Sequence, residues 1–157
     1  MLINQHLKEG TTLETRFEIF TKLITRISRN IRRIKTEEVA EFNLKSPHVS
    51  CLYYLHKSGK LCSAELAEVC DEDKAAISRT LDYLERQGFI ACEEQGKRRY
   101  KANFVLTERG KEVATLIAAK IDKVIMIAGE ELSDEEREIF YRALEKISAR
   151  LDTIANN

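Results

Sequence analysis

Lys97, Arg98, Arg99 and Lys101 place four cations in five consecutive positions, and Lys74 and Arg79 add two more on the segment upstream. Ammonium groups neutralise backbone phosphates. A guanidinium does the same, and it can also donate two N–H groups to the O6 and N7 edge of guanine or enter a minor groove. The neighbours of Arg79 suit the same kind of surface. Ser78 can donate or accept a hydrogen bond at a base edge, Ala75 or Ala76 can touch a thymine methyl, and Lys74 is placed to meet a phosphate. Taken singly, each charge reads as an ordinary solvated group, so the chemistry depends on the elements that hold them.

Other chemistries find little support in the residue pattern. There is no glycine-rich phosphate loop and no Ser/His/Asp order with a supporting elbow, so an enzyme is not expected. Cys51, Cys62, Cys70 and Cys92 form no CxxC pair and have no histidine at zinc-finger spacing. His48 and His56 stand eight residues apart on one predicted helix, too far for joint coordination. Reduced thiols, with no metal and no cofactor, are the expectation.

Around the first cations the punctuation predicts three short helices and a hairpin. Ser46 as N-cap and Pro47 at the first helical position open a helix that stops at Ser58-Gly59. A second short helix carries Leu66 and Ala67, with Cys62 as its N-cap and Glu65 three residues on, as in a capping box. A third carries Ile77, Leu81 and Leu84 on its inner side and closes at Gly88. Its outward or N-terminal positions are Asp73, Lys74, Ala75, Ala76, Ser78, Arg79 and Thr80. The acids Asp71-Glu72-Asp73 are read as caps and helix-dipole partners, since carboxylates are repelled by phosphate. The runs Phe89-Ile90-Ala91-Cys92 and Phe104-Val105-Leu106 then predict a two-stranded hairpin whose cationic tip carries Lys97, Arg98, Arg99 and Lys101. Helix, helix, helix, hairpin is the order of a winged helix-turn-helix, in which the last helix enters the major groove of duplex DNA and the wing reaches the backbone or the minor groove.

Long amphipathic helices flank this core. Leu13, Phe17, Phe20, Ile24, Ile27, Ile31 and Ile34 alternate in steps of four and three, as do Phe140, Leu144, Ile147, Leu151 and Ile154 near the C-terminus after a Ser133/Glu136 capping box. Between them a helix through Val113, Ile117, Ile121, Val124 and Ala128 opens at Thr107. Such seams suit a partner chain as well as a monomer core. The expected fold is therefore mainly α with a small β wing. A helix over residues 1–36 and helices over 107–157 serve dimerisation, and a DNA-binding region occupies 37–106, with the helix-turn-helix at about 62–87 and the wing at about 89–106.

Composition agrees. The chain has 157 residues, 43% hydrophobic and 33% charged, which fits one helix-rich domain and disfavours a multi-domain enzyme. The formal net charge is zero, but six basic residues and no acid lie between Ile19 and Thr36, while acids gather at Glu130-Glu131 and Asp134-Glu135-Glu136. Segregation of this kind permits a basic face on a neutral molecule. With no spanning apolar run and no signal-peptide core, a cytoplasmic location and no membrane partner are expected.

In the first helix ITRISRNIRRI, in Leu66-Ala67, in DKAAISRTLDYLERQGFI and in the wing exit FVLTERG, the sequence resembles the MarR family of bacterial regulators over nearly its whole length. The resemblance implies a homodimer of interlocked terminal helices and a repressor of a pseudo-palindromic operator, often relieved by a small molecule. It makes Arg99 the groove-inserting arginine. Where many members have an aspartate and two arginines before the second wing strand, this chain has Arg98-Arg99-Tyr100, which removes the acid of a wing-anchoring salt bridge. An effector cleft between the dimer region and the DNA lobe would involve Phe20, His48, Cys51, Tyr54 and His56, although their spacing fits ordinary packing equally. Two alternatives stay open: a winged helix that binds only proteins, and a thiol-based redox regulator acting through Cys62 at its helix N-terminus.

Overall fold

A computed structural model describes residues 13–93 and 102–156 of the chain. In order, these form α1 (Leu13–Glu37), a 3₁₀ turn (Ala40–Phe42), α2 (Ser46–Ser58), β1 (Lys60–Cys62), α3 (Ser63–Cys70), α4 (Lys74–Arg86), β2 (Ile90–Cys92), β3 (Asn103–Leu106), α5 (Glu108–Ala128) and α6 (Asp134–Ala155). The class is the expected one, mostly helical with a small antiparallel sheet. Contacts divide the chain into two compact units that meet within α5, one up to Ala118 and one from Ala119 onward.

The first unit holds the core. Val49, Leu52 and Leu55 of α2, Leu66 of α3, and Ile77, Leu81 and Leu84 of α4 are buried with Phe89, Ile90, Phe104 and Leu106 of the sheet region and Val113, Ala114 and Ile117 of α5. Each helix contributes the apolar stripe that its 3.6-residue period aligns. Gly110 lets α5 approach closely: a Cβ there would overlap the carbonyl oxygen of Phe89. Thr107 caps the same helix, since its hydroxyl accepts from the Gly110 N–H at 3.0 Å and donates to the Gly88 carbonyl at 2.7 Å. The start of α5 is thereby fastened to the end of α4.

Two local details depart from expectation. The first is the N-cap of α2, which is Lys45 rather than Ser46. The capping group is an imidazole, because Nδ1 of His48 accepts from the Lys45 N–H at 3.0 Å, the place a Glu side chain takes in a capping box. The second is the sheet, which has three strands in the order β1-β3-β2, not two. Leu61 pairs with Phe104 and Cys62 with Asn103 on one edge, while Ile90 pairs with Leu106 and Cys92 with Phe104 on the other.

In the second unit, Ser133 and Glu136 form the expected reciprocal capping box at the start of α6. Arg137 donates to the Gly129 and Leu132 carbonyls at 3.1 Å each and pairs with Asp134, closing the turn that precedes the helix.

Candidate nucleic-acid interface

The turn from α3 into α4 is built by backbone and carboxylate. Asp71 ends α3 in the left-handed region, at φ 53°, and Asp73 accepts the Ala76 N–H at 2.7 Å as N-cap of α4. The capping reading of this acidic run thus holds for Asp73. Its carboxylate is engaged at the helix end. At the other end, the Cys62 N–H donates to Glu65 at 2.7 Å, which holds the Glu65 carboxyl below its ordinary range and fixes the first turn of α3.

Lys74, Ala75, Ser78 and Arg79 are exposed on α4 and Ala76 is partly so, opposite the buried Ile77, Leu81 and Leu84. Among the described residues no hydrogen bond or ion pair engages the side chain of Lys74 or Arg79, which leaves both donors available. Thr80 corrects the expectation. It is only 5% exposed, because it lies three residues after Ile77 and four before Leu84 and so falls within the buried stripe. It belongs to the packing of α4 and not to its outer face.

Beside this face lies an open hollow of about 520 Å³, walled by Ser63 and Ala64 of α3, by Lys74, Ser78, Leu81 and Asp82 of α4, and by Phe104 of β3. The sequence reading missed Asp82 and the α3 rim. Asp82 follows Ser78 by four and Lys74 by eight residues, so helical spacing alone places it on their face.

Lys97, Arg98, Arg99 and Lys101 lie outside the described residues. The strands on either side of them are paired, and the ladder continues to the Glu93 N–H, which donates to the Asn103 carbonyl at 2.9 Å. The base of this hairpin is tied to α4. Arg109 donates to the Gln87 carbonyl at 2.8 Å while its guanidinium lies over the Phe89 ring, 4.5 Å from the centroid.

The five residues suggested for an effector cleft stand in different surroundings. Cys51 is fully buried, and His48 stacks on Tyr83 of α4 with centroids 4.3 Å apart, while His56 is exposed. Around α2, His56, His48, Cys51 and Tyr54 spread over an arc of about 200° at 100° per residue, so they do not face one way. Phe20 stands on α1, half-buried. Among the described residues there is no group of three or more His, Cys, Asp or Glu able to hold a metal ion, and no helix long and apolar enough to cross a membrane.

A short helix pair, a cationic outer face on the second helix and an antiparallel hairpin continuing from it define a winged helix-turn-helix of the DNA-binding class. The comparisons agree. The MarR family model matches residues 42–99. The HTH-type transcriptional repressor YetL of Bacillus subtilis is 26% identical over 153 residues, covering 95% of this chain and 90% of that protein. Among solved structures, the MarR family regulator NMB1585 of Neisseria meningitidis superposes with a TM-score of 0.77 at 20% identity, over 90% of this chain and 98% of that one. The Staphylococcus aureus MepR–DNA complex gives 0.75 at 21% identity, over 84% and 97%. The chain is thus similar, through residues 42–99 in sequence and over most of its length in fold, to transcription regulators of the MarR family.

Proposed function

We propose that the protein is a homodimeric repressor that binds a pseudo-palindromic operator in duplex DNA. In this reading Arg79 and Ser78 meet base edges in the major groove, and Ala75 and Ala76 lie against thymine methyls. Lys74 holds phosphate, Arg99 enters the adjacent minor groove, and Lys97, Arg98 and Lys101 neutralise the backbone. The observation that carries the proposal is the exposure of Lys74, Ser78 and Arg79 together on the outer face of α4. Two donors and a hydroxyl stand exposed on a helix whose inner stripe is locked into the core, at the rim of an open hollow. A surface for protein partners would be expected to offer exposed aromatic or aliphatic anchors there.

The names of similar proteins support the reading. YetL is called a repressor, and MepR was solved as a complex with DNA. Binding sites selected from random duplexes with the full chain should converge on an inverted repeat. Affinity should fall steeply with added salt, roughly one counterion for each phosphate contacted. A chain that binds no duplex at low salt would end the proposal.

A further inference from the structure

A second chemistry lies behind the DNA-binding face. Cys51 in the middle of α2 and Cys70 at the last residue of α3 bring their sulfurs to 3.9 Å, free thiols in contact. Cys51 is fully buried and Cys70 half-buried, so Cys70 is the member of the pair nearer to solvent.

The surroundings divide the roles further. The Cys70 thiol is held below its ordinary range, first by the S–H of Cys51 and then by the Lys35 ammonium of α1, against partial burial and the nearby Glu72 carboxylate. The Cys51 thiol is pushed far up by donating that hydrogen bond and by burial. Lys35 is anchored by donating to the Ser50 hydroxyl at 3.0 Å. Cys70 is the nucleophile of the pair because only the thiolate reacts, and Cys51 is the thiol waiting beside it.

We propose that Cys51 and Cys70 are a peroxide-oxidisable dithiol whose closure to a disulfide weakens DNA binding. The second half of that statement rests on the DNA-binding reading above. In the first step the Cys70 sulfur attacks an oxygen of a hydroperoxide, the O–O bond breaks, and Cys70 becomes a sulfenic acid. The departing alkoxide takes one proton, equivalent to the one Cys70 lost on ionising, and leaves as an alcohol, or as water when the oxidant is hydrogen peroxide. In the second step the Cys51 sulfur attacks the Cys70 sulfur, the S–O bond breaks, and the hydroxyl leaves as water with the Cys51 proton. Two thiols lose two electrons and one peroxide gains them.

The closure acts on α4 through the turn. A disulfide bond is about 2.05 Å long, so the sulfurs must approach by nearly half their present separation. Cys70 is followed at once by Asp71, the left-handed residue that ends α3, and by Asp73, the cap of α4. Drawing Cys70 toward α2 therefore re-aims the helix that carries Ser78 and Arg79. The expected loss is roughly tenfold or more in operator affinity, the scale of one lost base contact.

The full chain, treated with hydrogen peroxide and alkylated without reduction, should lose two titratable thiols. Peptide mapping should find Cys51 joined to Cys70, and a thiol reductant should restore both thiols and affinity. The double variant Cys62→Ser, Cys92→Ser should respond like the parent, and Cys70→Ser should not respond. Cys51→Ala should halt at a Cys70 sulfenic acid that a 1,3-dione probe captures. Because mapping is done on the unaltered chain, a poorly folding variant does not decide the matter. All four thiols remaining after peroxide, a different pair joined, or a Cys51–Cys70 disulfide with unchanged operator affinity would each overturn the proposal. Failure of the reduced chain to bind any duplex would instead overturn the DNA-binding reading, with the mapping still deciding the dithiol.

Discussion

At Gly110 the absence of one carbon decides how the sheet region and α5 meet. The Phe89 carbonyl accepts the Thr107 N–H at 3.0 Å and sits where a Cβ on residue 110 would be. Because backbone cannot swing aside as a flexible side chain can, Gly110→Ala should cost about 3 kcal/mol of unfolding free energy, at the upper end of overpacking effects, as read from a lowered urea midpoint. His48 makes a different kind of residue-level prediction. Its neutral Nδ1 accepts the Lys45 N–H, and its pKa is held below the ordinary 6.5 by burial and by the charge of Lys45. The unfolded chain therefore takes up this proton at a higher pH than the folded chain. Between the two values the unfolded state holds more protons, so acid favours unfolding. The His48 contribution is fully present above about pH 6.5 and is lost as pH falls through the folded value, whereas Glu65 and Glu136, held below 4.5, act only in more acid solution. The melting temperature should be flat near neutrality and begin to fall below about pH 6.5, and His48→Gln, which keeps an acceptor for Lys45, should remove that first decline.

At the scale of elements, α4 and the wing should fail differently. Arg79 is exposed on the face set against the buried Ile77, Leu81 and Leu84, and replacing it by alanine should relax base preference at one position per half-site and cost roughly 1–3 kcal/mol of operator binding. Lys97→Ala should weaken binding to every sequence alike and reduce the salt slope by about one. Competition of operator and scrambled duplexes across a salt series separates the two, and an Arg79→Ala chain with unchanged preference would refute the base-reading role. The elements themselves were legible where local chemistry marks them. Thr107, Ser133 with Glu136, and Cys62 with Glu65 announce helix starts because capping is a matter of residues three apart. β1 was not legible: Lys60-Leu61-Cys62 is a strand only because β3, some forty residues on, pairs with it. The cap of α2 was misplaced by one residue because the capping group is an imidazole where a hydroxyl was expected. Thr80 was ambiguous because its hydroxyl reads as polar while its position on the wheel is apolar. Nor does any local pattern tell that Cys51 and Cys70, nineteen residues apart, touch; the redox reading accordingly fell on Cys62, whose helix-end position is visible in sequence.

For the whole molecule the open question is what covers the terminal helices. On α1, Phe17 is 69% exposed and Ile24, Ile27 and Ile31 follow it in the four-three rhythm; on α6, Phe140, Ile147, Leu151 and Ile154 are exposed in the same rhythm. A monomer seldom leaves such long stripes in water, and a two-fold partner presenting the same stripes would cover them. In the operator-binding reading proposed above the pairing has a purpose, since two recognition helices reading successive major grooves must be held about 34 Å apart. The chain should therefore sediment at twice its 18.1 kDa. A charge on the stripe, as in Leu151→Glu, should shift the mass toward the single chain while leaving the first unit folded, as followed by the near-UV signal of its tyrosines. Loss of the tether between half-sites turns one bivalent event into two separate ones, so affinity for the inverted repeat should fall by about a hundredfold or more, while binding to an isolated half-site changes little. A Leu151→Glu chain that stays dimeric would move the interface elsewhere, and one that becomes monomeric yet binds the full repeat undiminished would show that the two-fold geometry is not the source of affinity.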